Sequence, residues 1–290
     1  MRLTRLTLSA ALVGAALTGV VAAAPSGAAS TPSLASCKTS IKSQEHQKGY
    51  LTVATDSPAY TPWFVNNKPS NGKGYESAVA YAIAGALGIS KSHVKWVVEP
   101  FDASYAPGPK PFDFDINEIS YTADRAKAVS FSTSYYDVQQ SIVAMKGTKI
   151  VKAHSPAQLR TYQYGDQIGT TGLAFINSYI KPTKPARVYN TLDEAVAALQ
   201  EHLIDALVID TPTGQYMASA QIVDKKNKPL AVQVGQFPSV GEHYGLLFQK
   251  GSPMVGCVDA AIAQLRHNGT LAQLTKKWLG IYTSVPLIKP

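Results

Sequence analysis

Apolar and polar positions along this chain fall into short runs whose period switches between two and about 3.6, the periods of strands and helices. Tyr50 to Thr55 is a short alternating run closed by Asp56-Ser57-Pro58, which predicts a strand ending in a turn. After the polar, glycine-containing stretch NNKPSNGKG, Tyr75 to Leu87 carries apolar residues at helical spacing, with Gly88 where a C-cap falls. The β signal returns in VKWVV from Val94. After the loop FDASYAPGPKP comes FDFDINEIS, a run ending at Ser120 that alternates with a period of two. Strand, helix, strand, loop and strand between residues 50 and 120 argue for parallel pairing in an α/β layer.

The same grammar resumes further on. Gln167 to Thr171 reads as a strand end, Gly172 to Ile180 as a helix, Leu192 to His202 as an amphipathic helix, and Ala206 to Asp210 as a buried strand closed by Thr211-Pro212. Pro253 to His267 and Gly269 to Leu279 form two further helices joined at Asn268-Gly269. The chain therefore consists of two α/β halves without a visible sequence repeat.

The N-terminus breaks the pattern. Arg2 and Arg5 precede a largely apolar, Ala/Gly-rich stretch from Leu6 to Ala24, and the small residues GAAS at 27–30 supply a cleavage site, so residues 1–29 read as a secretory signal rather than a permanent anchor. Residues 30–49 are then a polar extension. Removing Arg2 and Arg5 takes the formal net charge from +8 to +6. The basic residues are scattered, and pairs such as Lys225-Lys226 and Lys276-Lys277 suit a solvated face, so nucleic acid is not an expected partner. The six histidines and two cysteines show no metal-ligand spacing, and there is no nucleotide loop or nucleophile elbow; neither metal nor cofactor is expected. In an exported, oxidising setting the two cysteines, Cys37 and Cys257, read as a disulfide. An alternative starts from Leu34-Ala35-Ser36-Cys37, which resembles a lipobox and would tether the protein to a membrane through an acylated Cys37.

Six segments, in order, carry a resemblance: LTVATD, ADRAKAVSFS, IGTTG, LIDALVIDTP, YGLLF and NGTLAQLTKKWLG. Over about residues 50–280 the chain resembles the bacterial periplasmic or extracellular solute-binding proteins of amino-acid ABC transporters, family 3. The resemblance implies an α/β, two-lobed periplasmic-binding-protein fold of type II, each lobe a central sheet flanked by helices, joined by a two-strand hinge. Residues 50–138 would form the first part of lobe one, 139–242 lobe two and 243–290 the second part of lobe one, with hinges near Tyr135 to Gln140 and Val240 to Tyr244. Cys37 and Cys257 then share a lobe.

The resemblance also implies a ligand site. Arg125 matches the residue that grips the α-carboxylate of a free amino acid. A planar guanidinium suits that role because it offers parallel donors and keeps its charge. Thr170, Thr171 and Gly172 would receive the same carboxylate from the opposite lobe, at a turn whose backbone N–H groups enter a helix. Asp210 matches the aspartate that holds the α-ammonium, and Asp56, Tyr60 and Phe101 match positions that contact the ligand side chain. Alternation along FDFDINEIS sets Glu118 and Ser120 on one side, toward the same site. Glu118 departs from the resembled pattern, which often has Gly or Ser there, and Asp115 occupies a position usually apolar. If Glu118 faces the ligand, three carboxylates oppose one guanidinium, a balance that favours a basic or amide side chain.

The expected function is capture of a polar L-amino acid by lobe closure and its delivery to a membrane permease, by an exported and monomeric binding protein. Two alternatives share the fold: a cyclohexadienyl or arogenate dehydratase-like enzyme, in which Glu118 serves as a general acid, and a ligand-sensing receptor domain.

Overall fold

The protein is described by a computed structural model over residues 32–153, 155–281 and 285–288; the expected signal, residues 1–29, lies outside the described residues. A short helix, α1 (Leu34–Ser40), comes first. Strand β1 (Leu51–Thr55) is buried at every position rather than at alternate ones. Its place explains this: parallel partners β2 (Val94–Val98) and β3 (Phe114–Asp115) occupy both of its edges, and a parallel strand inside such a sheet is covered on both faces. Helix α2 (Tyr75–Ala86) links β1 to β2, and the single turn α3 (Phe101–Ser104) precedes β3.

The run 112–120, expected as one strand, is strand for two residues only. At Glu118 the backbone takes φ +52°, and its N–H is donated to Glu76 Oε1 on α2 at 2.6 Å instead of to a neighbouring strand. Ser120 rejoins the sheet through a single bridge to Tyr244. The alternation argument therefore fails beyond Ile116.

The chain continues through α4 (Arg125–Ala128) into β4 (Val129–Asp137), then crosses at residues 138–139 into β5 (Gln140–Met145). Beyond lie α5 (Pro156–Leu159), β6 (Gly165–Gln167), α6 (Thr171–Phe175), β7 (Arg187–Tyr189) and α7 (Leu192–Gln200). They are followed by β8 (Leu207–Asp210), α8 (Thr211–Tyr216) and β9 (Ala231–Gln236). Residues 237–242 lead back to β10 (His243–Gln249), α9 (Val255–His267) and α10 (Thr270–Leu279). One sheet has the order β2-β1-β3-β10-β4, with β10 antiparallel to both neighbours; the other has the order β8-β5-β9 and is antiparallel throughout. Parallel pairing in the second half joins β6 to β7.

Each sheet with its helices forms a lobe, and the second lobe is inserted into the first. The far side of the first lobe is apolar, with Ile83, Val258 and Ile262 fully buried, and the Cys37–Cys257 disulfide ties α1 to α9 there with Cα atoms 5.4 Å apart. That bond occupies the sulfur that acylation of Cys37 would need. The C-terminal assignment is corrected in part: Leu287 bridges Gln236 at the edge of β9, and Ile288 is buried in the second lobe beside Phe237, so residues 285–288 leave the first lobe. Among the described residues no helix is long and apolar enough to cross a membrane.

Candidate functional site

Strand ends and helix starts from both lobes converge on a cavity of about 90 Å³, the usual ligand position in open α/β sheets. The first lobe contributes Asp56 from the end of β1, Tyr60 from the loop behind it, Phe101 from the start of α3, Glu118 from the left-handed turn, and Arg125 from the start of α4. From the second come Thr170, Thr171 and Gly172 at the start of α6, Asp210 at the end of β8, and Thr213 one turn into α8. Nine of the ten ligand contacts expected from the sequence line this one cavity. Ser120 does not. With the strand broken at Glu118, its hydroxyl turns to Glu242 Oε1 at 2.6 Å, and only its carbonyl serves the site, accepting from Arg125 Nη1 at 2.7 Å.

Arg125 is held in a fixed pose. Its guanidinium carbon lies 4.6 Å from the Tyr105 ring centre and 5.3 Å from that of Phe101, and Nη2 crosses the cleft to Gly169 O at 2.9 Å. Burial draws its pKa down, against the supporting fields of Tyr105, Glu242 and Asp210. Gly169 takes φ +75°, and a Cβ there would lie 2.1 Å from Tyr105 Oη, so only glycine admits this approach of the lobes. Gly172 meets a similar demand, since its Cβ would fall 2.2 Å from Val208 O and 2.5 Å from Asp166 Oδ2. Thr170 caps α6, its hydroxyl accepting from Leu173 N at 3.1 Å.

Asp210 does not cap α8 with its side chain. Its carboxyl accepts from Gln140 Nε2 at 2.6 Å and from the Tyr244 hydroxyl, so both chain crossings hold it. Burial and the nearby Glu242 raise its pKa to about 8, opposed by those hydrogen bonds and by Arg125. Glu118 keeps part of its surface open to the cavity; Thr213 Oγ1 donates to its Oε2 at 2.6 Å, and Trp63 Nε1 donates in turn to Thr213 Oγ1 at 2.7 Å. Desolvation and the adjacent Glu76 and Asp210 hold Glu118 well above the usual carboxylate range. Asp56 accepts from Ser57 N at 2.6 Å and Phe101 N at 3.3 Å, which fixes the start of α3; burial raises its pKa. The Tyr60 hydroxyl reaches across to Asp193 Oδ1 at 2.9 Å.

Of the lining residues that sequence reasoning does not anticipate, three bear directly on the carboxyls. Asp166, fully buried in β6, bonds the Gln167 N–H through Oδ1 and is held by desolvation well above the carboxylate range. Its place in a short strand is a signal that was available. Thr213 stands three residues past Asp210, on the helix face that returns to the strand end. Gln140 gave no signal, because its partners Asp210 and Glu242 are distant in sequence. Asp115 lies outside the cavity lining, fully buried, and desolvation raises its pKa strongly.

The family profile described as bacterial extracellular solute-binding proteins, family 3, matches residues 51–281. The chain belongs to this family. Among relatives of this solute-binding protein, the L-cystine-binding protein TcyJ of Escherichia coli (strain K12) is 26% identical over 271 residues, covering 91% of this chain and 95% of that one. The L-arginine-binding protein of Pseudomonas aeruginosa is 25% identical over 238 residues, covering 78% and 90%. A solved structure of an ancestral arginine-binding protein bound to glutamine superposes with a TM-score of 0.66 at 26% identity, covering 81% of this chain and all of that one. The family-3 solute-binding protein described here has the two-lobed, type II architecture of such structures.

Proposed function

We propose that this protein is the substrate-binding component of an ABC transporter for a polar L-amino acid with a basic or amide side chain, exported, monomeric, and acting by closure of its lobes about residues 138–139 and 237–242. One observation carries the reading: Arg125 from the first lobe and Asp210 from the second face a single small cavity, so the two charges of a zwitterion meet opposite charges on opposite lobes. Arg125 and the start of α6 receive the carboxylate, and Asp210 receives the ammonium. Asp56, Glu118, Tyr60 and Phe101 then surround the side chain, where carboxyls and ring faces suit a cation or an amide.

The relatives are named for cystine, arginine and glutamine. Cystine would bring a second carboxylate, and among the described lining residues Arg125 is the single arginine or lysine. The charge set thus favours arginine- and glutamine-like ligands. A thermal-shift screen of the free L-amino acids tests this: ligand at a hundred times its dissociation constant adds about 2.7 kcal/mol of stability. Arginine, lysine, ornithine or glutamine is expected to give the largest shift, with no turnover of prephenate or arogenate in the same samples. Aspartate or glutamate as the top ligand would refute the charge argument.

A further inference from the structure

Acids around the cavity outnumber cations and have none in contact. Asp56, Glu118, Asp166 and Asp210 line it against Arg125. Among the described residues the one ion pair within 4.0 Å joins Asp124 to Lys127 at the surface, at 2.7 Å. The lining carboxyls are partnered by neutral groups instead: backbone N–H groups for Asp56 and Asp166, a hydroxyl for Glu118, an amide and a hydroxyl for Asp210.

Two more acids stand directly behind them. Glu76, fully buried on α2, accepts from Glu118 N and the Tyr135 hydroxyl, while its Oε2 has no hydrogen-bond partner among protein groups; Asp166 Oδ2 has none either. Glu242 lies against Gln140 and Ser120. Asp210 is thereby faced by Glu242, Tyr244, Asp166 and Arg125, and Glu118 by Glu76, Asp210 and Tyr60, whose hydroxyl is itself engaged by Asp193. Four ionised carboxylates around one guanidinium would leave three negative charges uncompensated inside the fold. The compensation open to the protein by itself is protonation. In keeping with this geometry, burial and the nearby Glu242 raise Asp210 to about 8, and burial raises Glu76 to about 7.

We infer that ligand capture at this site is an exchange, in which a cationic group of the ligand enters and a proton leaves the carboxyl it meets. The carboxylic O–H bond breaks, the proton passes to solvent, and the carboxylate accepts N–H groups of the ligand; no electrons move. The inference rests on the amino-acid reading above and adds a stoichiometry to it. An α-ammonium discharges Asp210, and a cationic side chain discharges Glu118 or Asp56 as well. A basic amino acid therefore releases more protons than an amide one.

Isothermal titration of the full chain with L-arginine and with L-glutamine at pH 7, each in phosphate and in Tris, reads that number from the difference in heat between buffers. The expected result is release of up to about one proton for glutamine and of more, up to about two, for arginine, with the arginine Kd falling by up to about tenfold per pH unit between pH 6 and 8 for each proton released. Glu118→Gln is expected to lower the arginine count and flatten the pH slope; should that variant fail to fold, the wild-type titrations decide alone. Equal heats in both buffers with an arginine Kd flat from pH 6 to 8 would overturn the exchange while leaving the amino-acid reading intact. Absence of binding heat for every free amino acid would overturn the amino-acid reading, and the exchange with it.

Discussion

The far side of the first lobe and its cleft side are built from the same helices and sheet but handle polarity in opposite ways. On the far side α1, α2, α9 and α10 bury apolar side chains around the Cys37–Cys257 bond, so each contact stabilises the fold whatever the ligand. On the cleft side the same α2 carries Glu76, fully buried among acids and tyrosines, and Arg125 rests on carbonyls and ring faces rather than on a carboxylate. Charges left without counter-charges lower stability until a partner arrives. Stability is thus supplied behind the sheet, and binding is supplied where the fold is least satisfied.

The sharpest way to separate the two sides is to cut the disulfide. It closes a loop of 220 residues, so the Cys37→Ser/Cys257→Ser variant should lose up to about 5 kcal/mol in denaturant unfolding while its amino-acid Kd stays put. A large change in Kd would mean that the far side is not independent of the cleft. The converse experiment is Arg125→Ala or Asp210→Ala. Each should weaken binding by about 2–5 kcal/mol because a desolvated ligand charge loses its partner. Neither change breaks an internal ion pair, so any loss of melting temperature should come from the hydrogen bonds that Arg125 and Asp210 make within the fold and should not follow the loss of affinity.

A smaller effect comes from pH. Asp210 and Glu76 keep protons in the folded state up to about 8 and about 7, whereas in the unfolded chain they release them near 4. The folded state therefore binds more protons over that interval, and stability falls as pH rises from about 4.5 toward 8. Melting scans of the free protein should drop by several degrees across this range, and saturating arginine should remove most of the drop. A free protein that gains stability toward pH 8 would contradict the raised carboxyls. The smallest effect is at the surface: Asp124→Asn breaks the exposed pair with Lys127 and should change neither stability nor binding measurably.

How far the sequence could be read follows the same division. The positions of Arg125, the Thr170-Thr171-Gly172 turn and Asp210 at strand ends and helix starts are legible from local pattern, whereas the roles expected of them come from the family resemblance. Strand β1 was misread as alternating because Thr52 and Thr55 interrupt its apolar run, although both are buried. The longer errors are non-local. Glu118 breaks its strand because Glu76, 42 residues earlier, takes its N–H, and Ser120 turns away from the cavity because Glu242 waits 122 residues later. Neither partner is marked by any nearby periodicity, and the return of residues 285–288 to β9 is equally silent in the sequence.

The most direct test is a crystal structure with L-arginine bound. The account predicts the α-carboxylate on the Arg125 guanidinium and the N-terminus of α6, the α-ammonium on Asp210, and the side-chain cation within hydrogen-bonding distance of Asp56 or Glu118. A ligand bound outside this cavity, or bound within it with its ammonium away from Asp210 and its carboxylate away from Arg125, would contradict it.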